Sequence, residues 1–117
     1  MVSAQAARSW GQLSISDIQG MNYTNLAMIR AKAGRLDTLG EALLLLVEPS
    51  RQEKACISYD VHRSLDDGDL WMVYENWQSA ADLEHHFEQP HMKAFAERIA
   101  ELVEGSPEFK GFTRMTK

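Results

Sequence analysis

The chain has 117 residues, enough for one domain that buries roughly two-thirds of its unfolded surface and too few for a second core. Seventeen acidic residues against twelve basic ones give a net charge of −5, and no Lys/Arg cluster offsets it, which argues against nucleic acid or another polyanion as partner. The single cysteine, Cys56, excludes an internal disulfide framework and agrees with a reducing compartment.

Residues 1–21 carry Arg8 as their early basic residue and contain no unbroken apolar run, so neither a secretory signal nor a transmembrane helix is expected, and a cytoplasmic location follows. Trp10, Leu13, Ile15 and Ile18, scattered among small polar residues, predict a partly ordered arm ahead of a domain at 22–117.

The approximate alternation of YTNLAMIRAK predicts a first strand over Tyr23–Lys32, closed by Gly34. Leu36, Leu39, Leu43, Leu46 and Val47 then follow helical spacing, and the run from Leu43 to Leu46 predicts a helix covered beyond a single stripe. Pro49 should end or kink it, with Glu48 pushed out of the α region. A second strand is expected over Ala55–Arg63, and the turn residues of Leu65–Asp69 return the chain into a third strand, Trp71–Trp77.

Ser79, with Asp82 three residues on, resembles a capping box and starts a helix near Ala80. Pro90 suits the first position of a second helical piece, whose stripe of Met92, Phe95, Ile99, Leu102 and Val103 runs to Gly105 and Pro107. A last strand over Phe109–Met115 completes β-α-β-β-α-β, an α+β, ferredoxin-like pattern with an antiparallel sheet. Helices on one face of such a sheet leave the other face uncovered, and a homodimer packing two sheets together is the economical solution.

Three histidines fall within seven residues of one another. At about 100° per residue Leu83, His86 and Phe87 share a helix face while His85 points away, so His86 is the inward one. There it can be an acid, a base or a donor held neutral by desolvation, or a core histidine satisfied by a backbone carbonyl. His91 can join it across the Pro90 break, or sit at the surface of the new helix. No two of these histidines have the i, i+4 spacing of a helical metal site and no paired-cysteine site occurs, so no metal is expected. Tyr59, Tyr74, Trp77, Phe87 and Phe95 are candidates to line a pocket for a flat aromatic substrate, against the reading in which they only fill the core. Asn25 and Glu75 lie within strands; either can orient a substrate hydroxyl, although an outward-facing position is the commoner reason for a polar strand residue. Asp66-Asp67-Gly68-Asp69 reads as a solvated turn, and no phosphate loop, dinucleotide fingerprint or nucleophile elbow is present in the sequence.

Tyr74-Glu75 and Trp77 at the strand end, His86, Pro90-His91, and Cys56-Ile57-Ser58-Tyr59 in the preceding strand resemble the antibiotic biosynthesis monooxygenase family, including its quinol monooxygenase-like members, over about Asn22 to Arg114. The resemblance implies a dimeric α+β barrel. It also implies oxidation of a quinol- or anthrone-like substrate by O₂ without metal, flavin or other cofactor, with His86 as base or proton shuttle, Trp77 beside it and Asn25 orienting a phenolic oxygen. Tyr59, Tyr74, Phe87, His91 and Phe95 would bind the substrate. Trp77 matches the tryptophan of the anthrone-oxidising members, whose other pocket positions fall here on Val73, Leu83 and Glu97. Haem-degrading relatives have a tryptophan where this chain has His86 and an axial histidine where it has Ala96, so no haem is expected. The His86 and Pro90-His91 pattern is shared with an isomerase of a phosphorylated autoinducer-2 sugar, which makes isomerisation of a small phosphorylated carbonyl compound the alternative reaction and a non-catalytic binding module the third reading. Arg30, Arg63 and Arg114 are the arginines a phosphate would call on.

Overall fold

A computed structural model of the protein describes residues 22–116, so the arm expected over residues 1–21 lies outside the described residues. The elements run β1 (Tyr23–Arg30), α1 (Leu36–Leu44), α2 (Val47–Arg51), β2 (Cys56–Arg63), β3 (Leu70–Trp77), α3 (Ala80–Phe87), α4 (Pro90–Leu102) and β4 (Glu108–Phe112). The four strands form one antiparallel sheet in the order β2-β3-β1-β4, the ferredoxin-like β-α-β-β-α-β arrangement with each helical position divided into two helices. No helix among the described residues is long and apolar enough to cross a membrane.

The period-2 pattern of β1 sends Asn25, Ala27 and Ile29 into the core and leaves Leu26, Met28 and Arg30 half-buried on the other face. On β3 the inward residues are Val73, Glu75 and Trp77. All four helices contribute to the covering of this inner face, through Leu39 and Leu43 of α1, Ser50 of α2, Leu83 and His86 of α3, and Phe95 and Leu102 of α4. The outer face has no covering element among the described residues and carries Leu26, Met28, Met72, Tyr74 and Phe112, all half-buried or exposed.

Several local expectations are corrected. The helix after β1 does not break at Pro49. The interruption falls at Leu45 and Leu46, and Pro49 is the third residue of α2, where its missing N–H is one of the amides that a helix start leaves free. Glu48 is accordingly helical rather than extended. Nor is the leucine run covered all round: Leu43 and Leu46 are buried, whereas Leu44 and Leu45 are exposed, because one helix face meets the sheet. At the start of α3 the Asp82 N–H donates to Ser79 Oγ at 3.2 Å, but the Asp82 carboxylate takes the Ser79 hydroxyl at 2.7 Å instead of the backbone amide expected of a capping box. β4 is shorter than expected, ending at Phe112.

Gly111 interrupts a strand pattern for a steric reason, since a side chain there would overlap the Tyr23 phenol lying across it. The β2–β3 turn is pinned from outside: Arg30 donates to Asp67 at 2.8 and 2.9 Å and to Asp69 at 2.6 Å. This pairing holds Asp67 well below the usual carboxylate range, mainly through the Arg30 hydrogen bond, and it gives both Asp67 and Asp69 a guanidinium partner within the chain.

Candidate active site

Strand register assembles the site. Asn25 on β1 and Tyr59 on β2 both lie opposite Glu75 on β3, so the three form one row across the inner face of the sheet. Glu75 is 3% exposed and Asn25 1%, which overturns the outward placement expected for polar strand residues. Alternation decides it: Glu75 lies between Val73 and Trp77 on the core side, and only a one-residue slip would turn it out.

Burial pushes the Glu75 carboxyl up from an ordinary 4.5 to about 7. The Trp77 indole N–H, donating to Glu75 Oε1 at 2.8 Å, and the Asn25 amide pull in the opposite direction, and the charge of Glu53 adds to the rise. The same desolvation raises the Tyr59 hydroxyl above its ordinary value, with the negative charge of Glu75 reinforcing it.

Helix α3 brings His86 down onto this row. Its ring is 0% exposed and packs on Trp77 with centroids 4.4 Å apart, with Tyr59 at 5.6 Å and Phe87 at 5.5 Å. The adjacent His85 faces solvent. Desolvation lowers the proton affinity of His86, against the opposing hydrogen bond and charge of Glu53. Its two nitrogens differ sharply in environment. Nδ1 lies 2.6 Å from Glu53 Oε2, while Nε2 has no hydrogen-bond partner and lies 3.9 Å from Glu75 Oε1. Glu53, in the turn between α2 and β2, also meets His91 Nε2 at 3.0 Å, so one carboxylate oxygen joins the two histidines. These three residues place donor atoms within 4.8 Å of one another, and they are the group among the described residues that could converge on a cation. Both approaches are hydrogen-bond lengths, which ordinary donation to the carboxylate explains.

In front of Glu75 lies an apolar cavity of about 170 Å³ between the sheet and α1 and α4. Tyr59, Glu75, Phe87 and Phe95 reach its wall, as does Phe109 from β4, and Glu75 is its one charged lining residue. His86, Trp77 and Asn25 stand behind this wall rather than on it. His91 opens instead onto a shallow depression on the outside of the helices, beside Arg98. Tyr74 is placed elsewhere altogether. It is exposed on the outer sheet face opposite Leu26 and Asp60, one residue out of phase with Val73 and Glu75, so it is not part of this cavity.

Of the two carboxylates central to this geometry, the sequence offers Glu75 only as a residue that could orient a substrate hydroxyl, not as a base, and does not offer Glu53 at all. Glu75 was legible as a carboxylate in phase with Val73 and Trp77 on a strand. Glu53 gave no signal, because only the folded turn brings it against the histidines.

The antibiotic biosynthesis monooxygenase family model matches residues 22–98. An uncharacterised protein of Synechocystis is 33% identical over 64 residues, covering 55% of this chain and 44% of that protein. The Mycobacterium tuberculosis protein named "Putative monooxygenase Rv0793" is 33% identical over 58 residues, covering 50% of this chain and 56% of that one. The matched segments thus span about half the length of these two relatives. The solved structure of the M. tuberculosis protein shares the fold, with a TM-score of 0.77 at 22% identity over 82% of this chain and 97% of that one. The structure of PA3566 from Pseudomonas aeruginosa gives a TM-score of 0.78 at 30% identity over 84% of this chain and 98% of that one. With the family model running from the start of β1 into α4, well over half of the chain, the chain belongs to the antibiotic biosynthesis monooxygenase family.

Proposed function

We propose that this protein is a cofactor-independent monooxygenase that oxidises a small, neutral, hydroquinone-like aromatic with O₂, using Glu75 as the base that meets the substrate. The observation that carries the reading is the position of Glu75: a carboxyl lifted to about 7, sitting on the wall of an otherwise apolar cavity. A cavity of roughly 150 Å³ accommodates one benzene ring, so a volume of about 170 Å³ suits a single substituted ring and is small for a fused tricyclic substrate.

The chemistry asks little of the protein. An ionised hydroquinone is electron-rich enough to give O₂ an electron directly, so the site need only bind, orient and deprotonate. Glu75 takes the phenolic proton, with the Trp77 indole holding its carboxylate, Asn25 opposite it on β1 and the His86 Nε2 lone pair behind it. The anion and O₂ combine to a peroxide on a ring carbon, and the peroxide takes the proton back from Glu75. O–O cleavage, with loss of the hydrogen on that same carbon, leaves a carbonyl there and releases the second oxygen as water. One hydroquinone and one O₂ thus give one hydroxyquinone and one water.

The alternative, isomerisation of a small phosphorylated carbonyl compound, has weaker support. The cavity lining contains no Lys or Arg, and an anion would face Glu75. Arg30 is committed to Asp67 and Asp69, Arg63 lies 5.9 Å from the Trp71 ring centroid, and Arg114 borders the outer sheet face. The uncovered outer face of the sheet, with Leu26, Met28, Met72 and Tyr74, supports the homodimer as the working form.

The test is O₂ consumption by chelator-treated protein given monocyclic hydroquinones. Uptake with hydroxyquinone formation, lost in Glu75→Gln, is the expected result. Solvent-deuterium incorporation into a phosphorylated sugar without O₂ uptake would establish the isomerase instead. Thermal stabilisation by a hydroquinone without product would leave only a binding module.

A further inference from the structure

We infer that Glu53 and His91 are positioning residues that fix the tautomer of His86, so that its Nε2 lone pair faces Glu75. This deepens the proposed function, because it sets the state of the group behind the base.

An ionised carboxylate can only accept hydrogen bonds. With Glu53 Oε2 at 2.6 Å from His86 Nδ1 and 3.0 Å from His91 Nε2, both rings must donate to it, so His86 carries its proton on Nδ1. A neutral imidazole protonated there has a bare Nε2. That nitrogen lies in a fully buried ring, has no hydrogen-bond partner, and has Glu75 Oε1 3.9 Å away. Desolvation, which opposes a second proton on the ring, agrees with the neutral form.

Leaving a buried ring nitrogen unpaired is costly, and it is tolerable where the facing group is itself a proton carrier. When Glu75 receives the substrate's proton, its new O–H gains an acceptor in Nε2, and a small carboxyl movement would close the gap to a hydrogen bond. The opposite tautomer would present an N–H to Glu75 and a lone pair to Glu53, favouring the carboxylate of Glu75 over its protonated form. Glu53 therefore acts as the orienting carboxylate behind a histidine does in nucleophile–base–carboxylate systems, here behind a histidine that serves another carboxylate. His91 contributes by anchoring the oxygen it shares. Its side chain is 18% exposed and that of Glu53 12%, so the anchor lies at the protein's edge while His86 is sealed inside.

The inference is tested by long-range ¹H–¹⁵N correlation of the histidine rings in the wild-type protein near neutral pH, without added metal. The expected spectrum shows His86 protonated at Nδ1 and bare at Nε2, and Glu53→Ala converts it to a mixture of tautomers. A His86 protonated at Nε2, or a tautomer unchanged in Glu53→Ala, would overturn the assignment. In turnover, Glu53→Ala lowers kcat by about 10²-fold or more with KM unchanged, since Glu53 does not reach the cavity wall. The spectrum does not depend on activity. A wrong tautomer therefore defeats this inference alone, and a correct tautomer in a protein that oxidises no hydroquinone defeats the proposed reaction alone.

Discussion

Replacing Glu75 with glutamine tests whether that carboxyl is desolvated in the folded protein. On folding, its proton affinity moves from 4.5 to about 7. The folded state thus holds a proton at pH values where the unfolded chain has already released it, and the native protein loses stability as pH rises through that window. A group shifted this far makes the native state about 2–3 kcal/mol less stable at pH 8 than at pH 5, relative to a neutral residue in the same place. The substituted glutamine has no proton to lose, and it keeps an oxygen that can accept from the Trp77 indole at the position where Glu75 Oε1 accepts at 2.8 Å. Urea unfolding of both proteins at half-unit steps from pH 5 to pH 8 should show the stability of Glu75→Gln gaining on wild type by about that amount, most of it before pH 7. His86 acts in the opposite sense, because its lowered proton affinity weakens the fold as pH falls below 6.5. His86 is present in both proteins, so its contribution largely cancels in the difference. A stability gap that stays constant across this range would mean that Glu75 titrates like a solvated carboxylate, and the base assignment would fall with it.

Trp77→Phe removes the indole donor that favours the Glu75 carboxylate, so the pH–rate midpoint should move above the wild-type value near 7, as read from kcat/KM profiles. Trp77→Ala deletes a fully buried ring and should cost about 3–5 kcal/mol in denaturant unfolding. Ala96→Phe places a ring in the cavity, and kcat/KM for a hydroquinone should fall by at least about tenfold while thermal unfolding remains cooperative. Ser79→Ala removes the α3 cap and should cost about 1 kcal/mol, with KM unchanged because the cap is remote from the cavity lining.

Periodicity together with turn, cap and proline signals was enough to place the four strands and α1, α3 and α4, because in a domain this small each element has one side that must be buried. The same reasoning erred where a local rule met tertiary packing. A proline three residues into a helix is indistinguishable in sequence from one that ends it, and Pro49 proved to be the former. Leucines at Leu44 and Leu45 read as buried surface, although the sheet covers only the face carrying Leu43 and Leu46. Tyr74 was grouped with the pocket aromatics by composition, and its single-residue offset from Glu75 puts it on the opposite side of the sheet.

Helical phase alone turned His86 inward, but what that histidine serves depended on residues from other elements. Chain proximity put His85, His86 and His91 together, whereas the structure sorts them by place: His85 to solvent, His86 to the core, His91 to the edge. The carboxylates that complete the arrangement come from positions 33 residues before His86 and 11 before it, one from a turn and one from a central strand. A strand rule that treats polar residues as outward-facing discards Glu75 at the outset. Its burial is nonetheless the informative departure, because a carboxylate set among Val73, Trp77 and Tyr59 weakens the fold at neutral pH, and a domain otherwise built on consistent apolar patterning tolerates such a cost where the group has a chemical role. The inward row Asn25–Glu75–Tyr59 is thus where local pattern and global fold disagree most, and it lies against the cavity.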